Sequence, residues 1–124
     1  MIEKLIIFGA SGHGGVIYDI VDKSKFDIRF YDDDKFKINF LGIPVEHNLD
    51  YDSKYVIGIG DNSIRKRICE LNPELNFCSV ISKYSHISNF STIDVGTVVF
   101  SGAIINHSTS IGKHSIINTK ASID

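Results

Sequence analysis

The apolar positions of this chain change rhythm twice. Residues 4–8 (KLIIF) run apolar without a break and end in glycines, the pattern of a parallel strand covered on both faces. From Gly14 to Val21 the period becomes helical, with Val16, Ile17, Ile20 and Val21 together and Asp19 and Asp22 outward. Residues 27–31 (DIRFY) alternate as a second strand, stopped by Asp32, Asp33 and Asp34. Residues 38–45 predict a small hairpin about Gly42, and residues 54–59 (KYVIGI) another buried strand. There follows a helix capped by Asp61 or Asn62, with Ile64, Ile68 and Leu71 on one face. A last strand is expected over 77–81. Strand, helix, strand, then strand, helix, strand predicts a small parallel α/β sheet over residues 1–82.

Beyond residue 82 helical periodicity disappears and a period of six replaces it. Ile87, Ile93, Val99, Ile105, Ile111, Ile117 and Ile123 recur at that spacing, and two residues before each stands Ser85, Ser91, Thr97, Ala103, Thr109, Ser115 or Ala121. An alternating sandwich strand would not fix one residue in every six. A short flat strand and a tight corner would, with the aliphatic inward, so residues 83–124 predict about two triangular coils of a parallel β-helix.

Composition narrows the function classes. The 124 residues carry a formal charge of -2, which gives no basic field for a nucleic-acid backbone. Apolar residues are 43% and charged residues 23%, as in ordinary globular chains. No apolar run reaches the roughly 20 residues of a membrane span. The N-terminus lacks the basic region of a signal peptide, so a cytoplasmic location is expected. Cys69 and Cys78 form no ligand spacing and read as reduced thiols, and no metal site is expected. His107 and His114 fall where a coil points outward and read as surface histidines; His47 and His86 have no partner pattern.

The candidate chemistry sits at strand ends. Gly9-Ala10-Ser11-Gly12-His13-Gly14 joins the first strand to its helix, where bare backbone and a helix N-terminus suit a phosphate. It lacks the GxGxxG order of a dinucleotide fingerprint, which weakens an NAD-dependent oxidoreductase as a reading, and the six-residue repeats would have no place in one. Asp32 and Asp33 after the second strand, and Gly58-Ile59-Gly60-Asp61-Asn62 with Arg65 after the third, would reach the same sheet edge. Open α/β sheets bind ligands there.

Taken in order, GASGHG, the DD pair, GIGDNSIRK and the hexapeptide repeats resemble the sugar O- and N-acetyltransferases typified by sialic acid O-acetyltransferases and bacterial UDP-4-amino-sugar N-acetyltransferases. The resemblance covers the whole chain. It implies an α/β fold in which a small parallel, Rossmann-like βαβαβ sheet is followed by the first coils of a left-handed β-helix. It implies that the first unit binds a UDP-amino sugar or related sugar, that acetyl-CoA is the co-substrate of the full-length enzyme, and that the assembly is a homotrimer. By position, Gly9, Ser11, Gly12 and His13 would meet the diphosphate and Asp32 and Asp33 the uridine, with Ile59, Gly60, Asn62 and Arg65 completing that pocket and Asn118 lining the transfer site. In the family a histidine base follows a segment like INTKASID, and here the sequence stops at Asp124. The expectation is therefore an N-terminal piece with no catalytic residue of its own, inactive alone. The rival is a non-catalytic sugar-nucleotide-binding or trimerising module.

Overall fold

The computed structural model describes residues 2–124. The aliphatic run forms β1 (Glu3–Phe8), followed by α1 (Gly12–Ile20), β2 (Phe26–Tyr31), β3 (Asn39–Phe40), β4 (Ile43–Glu46), β5 (Lys54–Ile57), α2 (Asn62–Leu71) and β6 (Asn76–Phe77). β1 pairs in parallel with β2 and β5, which puts it at the centre of a six-stranded sheet ordered β3-β4-β2-β1-β5-β6. Its residues alternate between two cores. Leu5 and Ile7 pack with Ile17 of α1 and with Val21 just after it, whereas Ile6 and Phe8 pack with Tyr55 and Ile68 on the α2 side. Burial on both faces is why the run carries no polar alternation. The expected hairpin is β3–β4, the one antiparallel pair among the described residues, turned by Leu41 and Gly42 at φ 52° and 76°.

Three expectations shift. α1 begins at Gly12 instead of Gly14, because the glycines contribute no apolar side chain to the pattern while their backbone already turns helically. The strand expected over 77–81 is two strands in different sheets. After β6, Cys78 donates its N–H to the Tyr55 carbonyl at 2.9 Å, and the chain then leaves for β7 (Val80–Ile81), which pairs with Val98–Val99. On α2 the buried residues are Arg65 and Ile68, while Ile64 and Leu71 stay 45% and 71% exposed.

From β7 onward come β8 (His86–Ile87), β9 (Thr92–Ile93), β10 (Val98–Val99), β11 (Ile104–Ile105), β12 (Ser110–Ile111), β13 (Ile116–Ile117) and β14 (Ser122–Ile123). They form three parallel stacks, β7–β10–β13, β8–β11–β14 and β9–β12. Partners such as Thr92 and Ser110 lie 18 residues apart. The aliphatic row follows the six-residue register: Val99, Ile105, Ile111 and Ile117 are buried beside Ala103, with Ile87, Ile93 and Ile123 partly buried against them. The outer face of β7–β10–β13 is not free. Val80, Val98 and Phe100 join Leu5, Ile7 and Ile17 in one core, so the coil covers the α1 side of the sheet.

Candidate functional site

β1 is followed directly by Gly9, whose φ of +128° is open to glycine but strained for other residues. Its N–H donates to the Tyr31 carbonyl at 2.7 Å, tying the turn to the end of β2. Gly14 packs so closely that a Cβ there would lie 2.3 Å from the Gly9 carbonyl oxygen. The turn is thus closed on its inner side. Its outer side is open: a Cβ on Gly12 would meet nothing within 4 Å. The first turn of α1 closes with Gly15 N–H on the Ser11 carbonyl at 3.0 Å, and the Ser11 side chain makes no cap bond. The preceding amides of Gly12, His13 and Gly14 have no helical acceptor, so they present donors and the positive end of the helix dipole to this open side.

The two aspartates after β2 differ in their partners. Asp32 Oδ2 accepts the Ala10 N–H at 3.0 Å and the Lys37 ammonium at 3.4 Å, and Oδ1 accepts the Asp34 N–H at 2.9 Å. Burial works to raise this carboxyl, but the amides of Asp34 and Ala10 and the Lys37 charge hold it below the ordinary carboxylate value. Asp33 is exposed and accepts the Tyr31 hydroxyl at 2.9 Å; burial first, then this bond, pushes that phenol up to about 12.

The third loop closes the site. Asp61 caps α2 by accepting the Ile64 N–H at 3.0 Å, and Gly60, like Gly12, faces open space. A cleft of about 440 Å³ runs along this edge and brings together Gly9, Asp32, Asp33 and Ile59 of the expected residues. It also takes in Leu49, Ile64, Arg67 and Leu71, which were not expected there. The helical stripe of α2 carried the signal for two of them: Ile64 and Leu71 wall this cleft instead of the core. A larger cavity, about 660 Å³, lies between the C-terminal end of α1 and β7 and contains none of the expected residues.

Seven expected residues do not line the cleft: Ser11, Gly12, His13, Gly60, Asn62, Arg65 and Asn118. Arg65 is 8% exposed and turned away from the cleft: it donates to Asn62 Oδ1 at 2.6 Å and to the His114 carbonyl on the coil. Asn118 is exposed on the coil, outside the cleft. His114 also departs from its expected surface position. Its ring stands edge-on to Phe77 at 4.8 Å, and the missing side chain of Gly96 makes room for it. His13 stands similarly against Phe100 at 5.5 Å.

Burial first, then the Arg65 charge, lowers both His13 and His114 below the ordinary imidazole value of 6.5. A folded-state value below the unfolded one means that the unfolded chain takes up the proton first. The stability held by the neutral rings is fully present above pH 6.5 and is lost as pH falls through their folded values. The thermal midpoint is therefore expected to drop between pH 7 and pH 5, and to drop less in a His114→Gln variant. Equal midpoints at both pH values for the parent chain would contradict this.

Among the described residues no helix is long and apolar enough to cross a membrane, and no cluster of three histidine, cysteine or acidic residues could hold a metal. Comparison with known proteins gives two findings. The family model for the PglD N-terminal domain matches residues 4–71. The fold is similar to the acetyltransferase domain of PglB from Neisseria gonorrhoeae in complex with acetyl coenzyme A, with TM-score 0.89 and 25% identity over 100% of this chain and 65% of that one. It is similar also to a mutant perosamine N-acetyltransferase from Caulobacter crescentus in complex with CoA and GDP-perosamine, with TM-score 0.88 and 25% identity over 100% of this chain and 64% of that one. The chain thus spans just under two thirds of the structures it matches.

Proposed function

The chain belongs to the PglD N-terminal domain family, and from that premise we propose that it supplies the sugar-nucleotide-binding part of a sugar acetyltransferase. The acceptor is a UDP-amino sugar or a related nucleotide-linked sugar, and acetyl-CoA is the co-substrate. One observation carries this reading: at the C-terminal edge of the sheet, the turn at residues 9–14 is closed inward and open outward, with unpaired amides at the head of α1. A diphosphate fits that arrangement by charge and by hydrogen bonding. The neighbouring cleft, apolar on the side of Leu49, Ile59, Ile64 and Leu71 and polar at Asp33 and Arg67, suits a base and ribose.

In the reaction the acceptor nitrogen or hydroxyl oxygen attacks the thioester carbonyl, loses its proton to a base, and the CoA thiolate leaves. This chain binds and orients the nucleotide end of the acceptor. Residues 1–82 form the binding unit, and residues 83–124, together with β7, begin a left-handed β-helix. Copies associate as a homotrimer through the outer coil faces, where Ile104 is 43% exposed.

Calorimetric titration with UDP, a UDP-4-amino sugar, GDP and NAD tests the binding role, and sedimentation of the same sample tests the trimer. Saturable binding of a nucleoside diphosphate or its sugar, with NAD weaker, is expected. Tighter binding of NAD would overturn the assignment, and a monomer at all concentrations would remove the trimer.

A further inference from the structure

We infer that the paired aspartates have separate duties, with Asp32 and Lys37 acting as positioning residues for the glycine turn and Asp33 offered to the nucleoside. The inference rests on the nucleotide-sugar reading above and deepens it. Two neighbouring carboxylates at a strand end would ordinarily be assigned together. Here their partners divide them.

Asp32 is held from every side. Its N–H donates to the Glu46 carbonyl at 3.2 Å, and its own carbonyl accepts the His47 ring at 3.0 Å. Both carboxylate oxygens are engaged, and the side chain is 16% exposed. Lys37 Nζ bridges from Asp32 Oδ2 to the Ala10 carbonyl at 3.2 Å, so both the N–H and the C=O of Ala10 are fixed by one ion pair. Ala10 immediately precedes Ser11, Gly12 and His13, the segment that aims amides outward. Fixing its peptide groups sets the direction of those amides before a phosphate arrives, and preorganised donors bind without a later ordering cost. Asp33 accepts only from Tyr31 among the described residues, so it keeps acceptor capacity on the cleft side for a ribose hydroxyl or a base N–H.

The test compares uridine, which carries no phosphate, with UDP. In Asp32→Asn and Lys37→Met the UDP dissociation constant is expected to rise about tenfold and about threefold respectively, with uridine changed less than about twofold. Lys37→Arg should restore UDP binding. Asp33→Asn should weaken uridine and UDP by the same factor, about fivefold. The Lys37 side chain is 40% exposed, so its variants stay folded even if Asp32→Asn does not. Equal losses of uridine and UDP in Asp32→Asn and Lys37→Met would put Asp32 on the nucleoside and overturn the division. Amide hydrogen exchange of Ala10, whose N–H is bonded to Asp32, gives a reading independent of ligand: about tenfold faster exchange in Lys37→Met is expected, and unchanged exchange would overturn the positioning role. If the parent chain bound neither ligand, the nucleotide reading would fail, while the exchange data would still decide what Lys37 and Asp32 do to the turn.

Discussion

Replacing Gly14 with alanine is expected to destabilise the chain by at least about 3 kcal/mol, lowering the thermal midpoint by roughly 10 °C. The added methyl would lie 2.3 Å from the Gly9 carbonyl oxygen, which belongs to backbone and cannot rotate away. Gly9 is itself fixed by its bond to Tyr31, so relief would require moving β2 relative to β1. Gly12→Val makes the informative contrast. Nothing lies within 4 Å of a Cβ at that position, so the stability should change by less than about 1 kcal/mol, yet diphosphate binding should be lost because the new side chain stands in the ligand's path. Two glycines two residues apart thus separate packing from binding. Thermal melts and calorimetry on both variants check the pair, and a Gly12→Val chain with undiminished UDP affinity would mean that the turn is structural only.

Ile105→Asp is expected to have the largest effect on stability, about 4 kcal/mol or more, since Ile105 is 0% exposed among Val99, Ala103 and Ile117 and a carboxylate there would have no partner. Its neighbour supplies the control. Ile104 points out of the same strand and is 43% exposed in the single chain, so at concentrations below self-association Ile104→Asp should be tolerated within about 0.5 kcal/mol, its cost falling on the trimer instead. From the repeats alone, loosening would stay in the coil and spare the sheet. The shared core changes that expectation: Val98 and Phe100 cover Leu5 and Ile7, so loss of the coil should also lower protection of α1. Urea unfolding followed by limited proteolysis reads both effects. Equal damage from Ile104→Asp and Ile105→Asp would require the six-residue register to be abandoned.

Much of this was legible because periodicity records burial directly. The uninterrupted apolar stretch of β1 marked a strand covered twice, and the six-residue row marked the inward side of the coil. What escaped depended on which surface a side chain meets. A stripe of Ile64, Ile68 and Leu71 is apolar whether it faces a core or a ligand cleft, so pattern could not tell that all three line the cleft while only Ile68 also joins the core. Arg65 and Arg67 look equivalent in sequence, but helical phase sends one beneath α2 to the His114 carbonyl and the other to the cleft rim. The engagement of Asp32 by Ala10 was equally invisible, since it joins two strand ends that only the sheet brings together. His114 was misplaced because an outward coil position becomes half-buried when a second unit packs over that corner.

The central claim is that a nucleoside diphosphate sugar binds across the open side of the glycine turn. Backbone amide NMR during titration with UDP and a UDP-4-amino sugar tests it most directly. The account predicts saturable shifts at Ser11, Gly12, His13, Asp33 and Gly60, with the amides of Ile105 and Ile111 unmoved. Saturable shifts confined to the coil or to the larger cavity around Lys25 and Tyr84, with the turn silent, would contradict it.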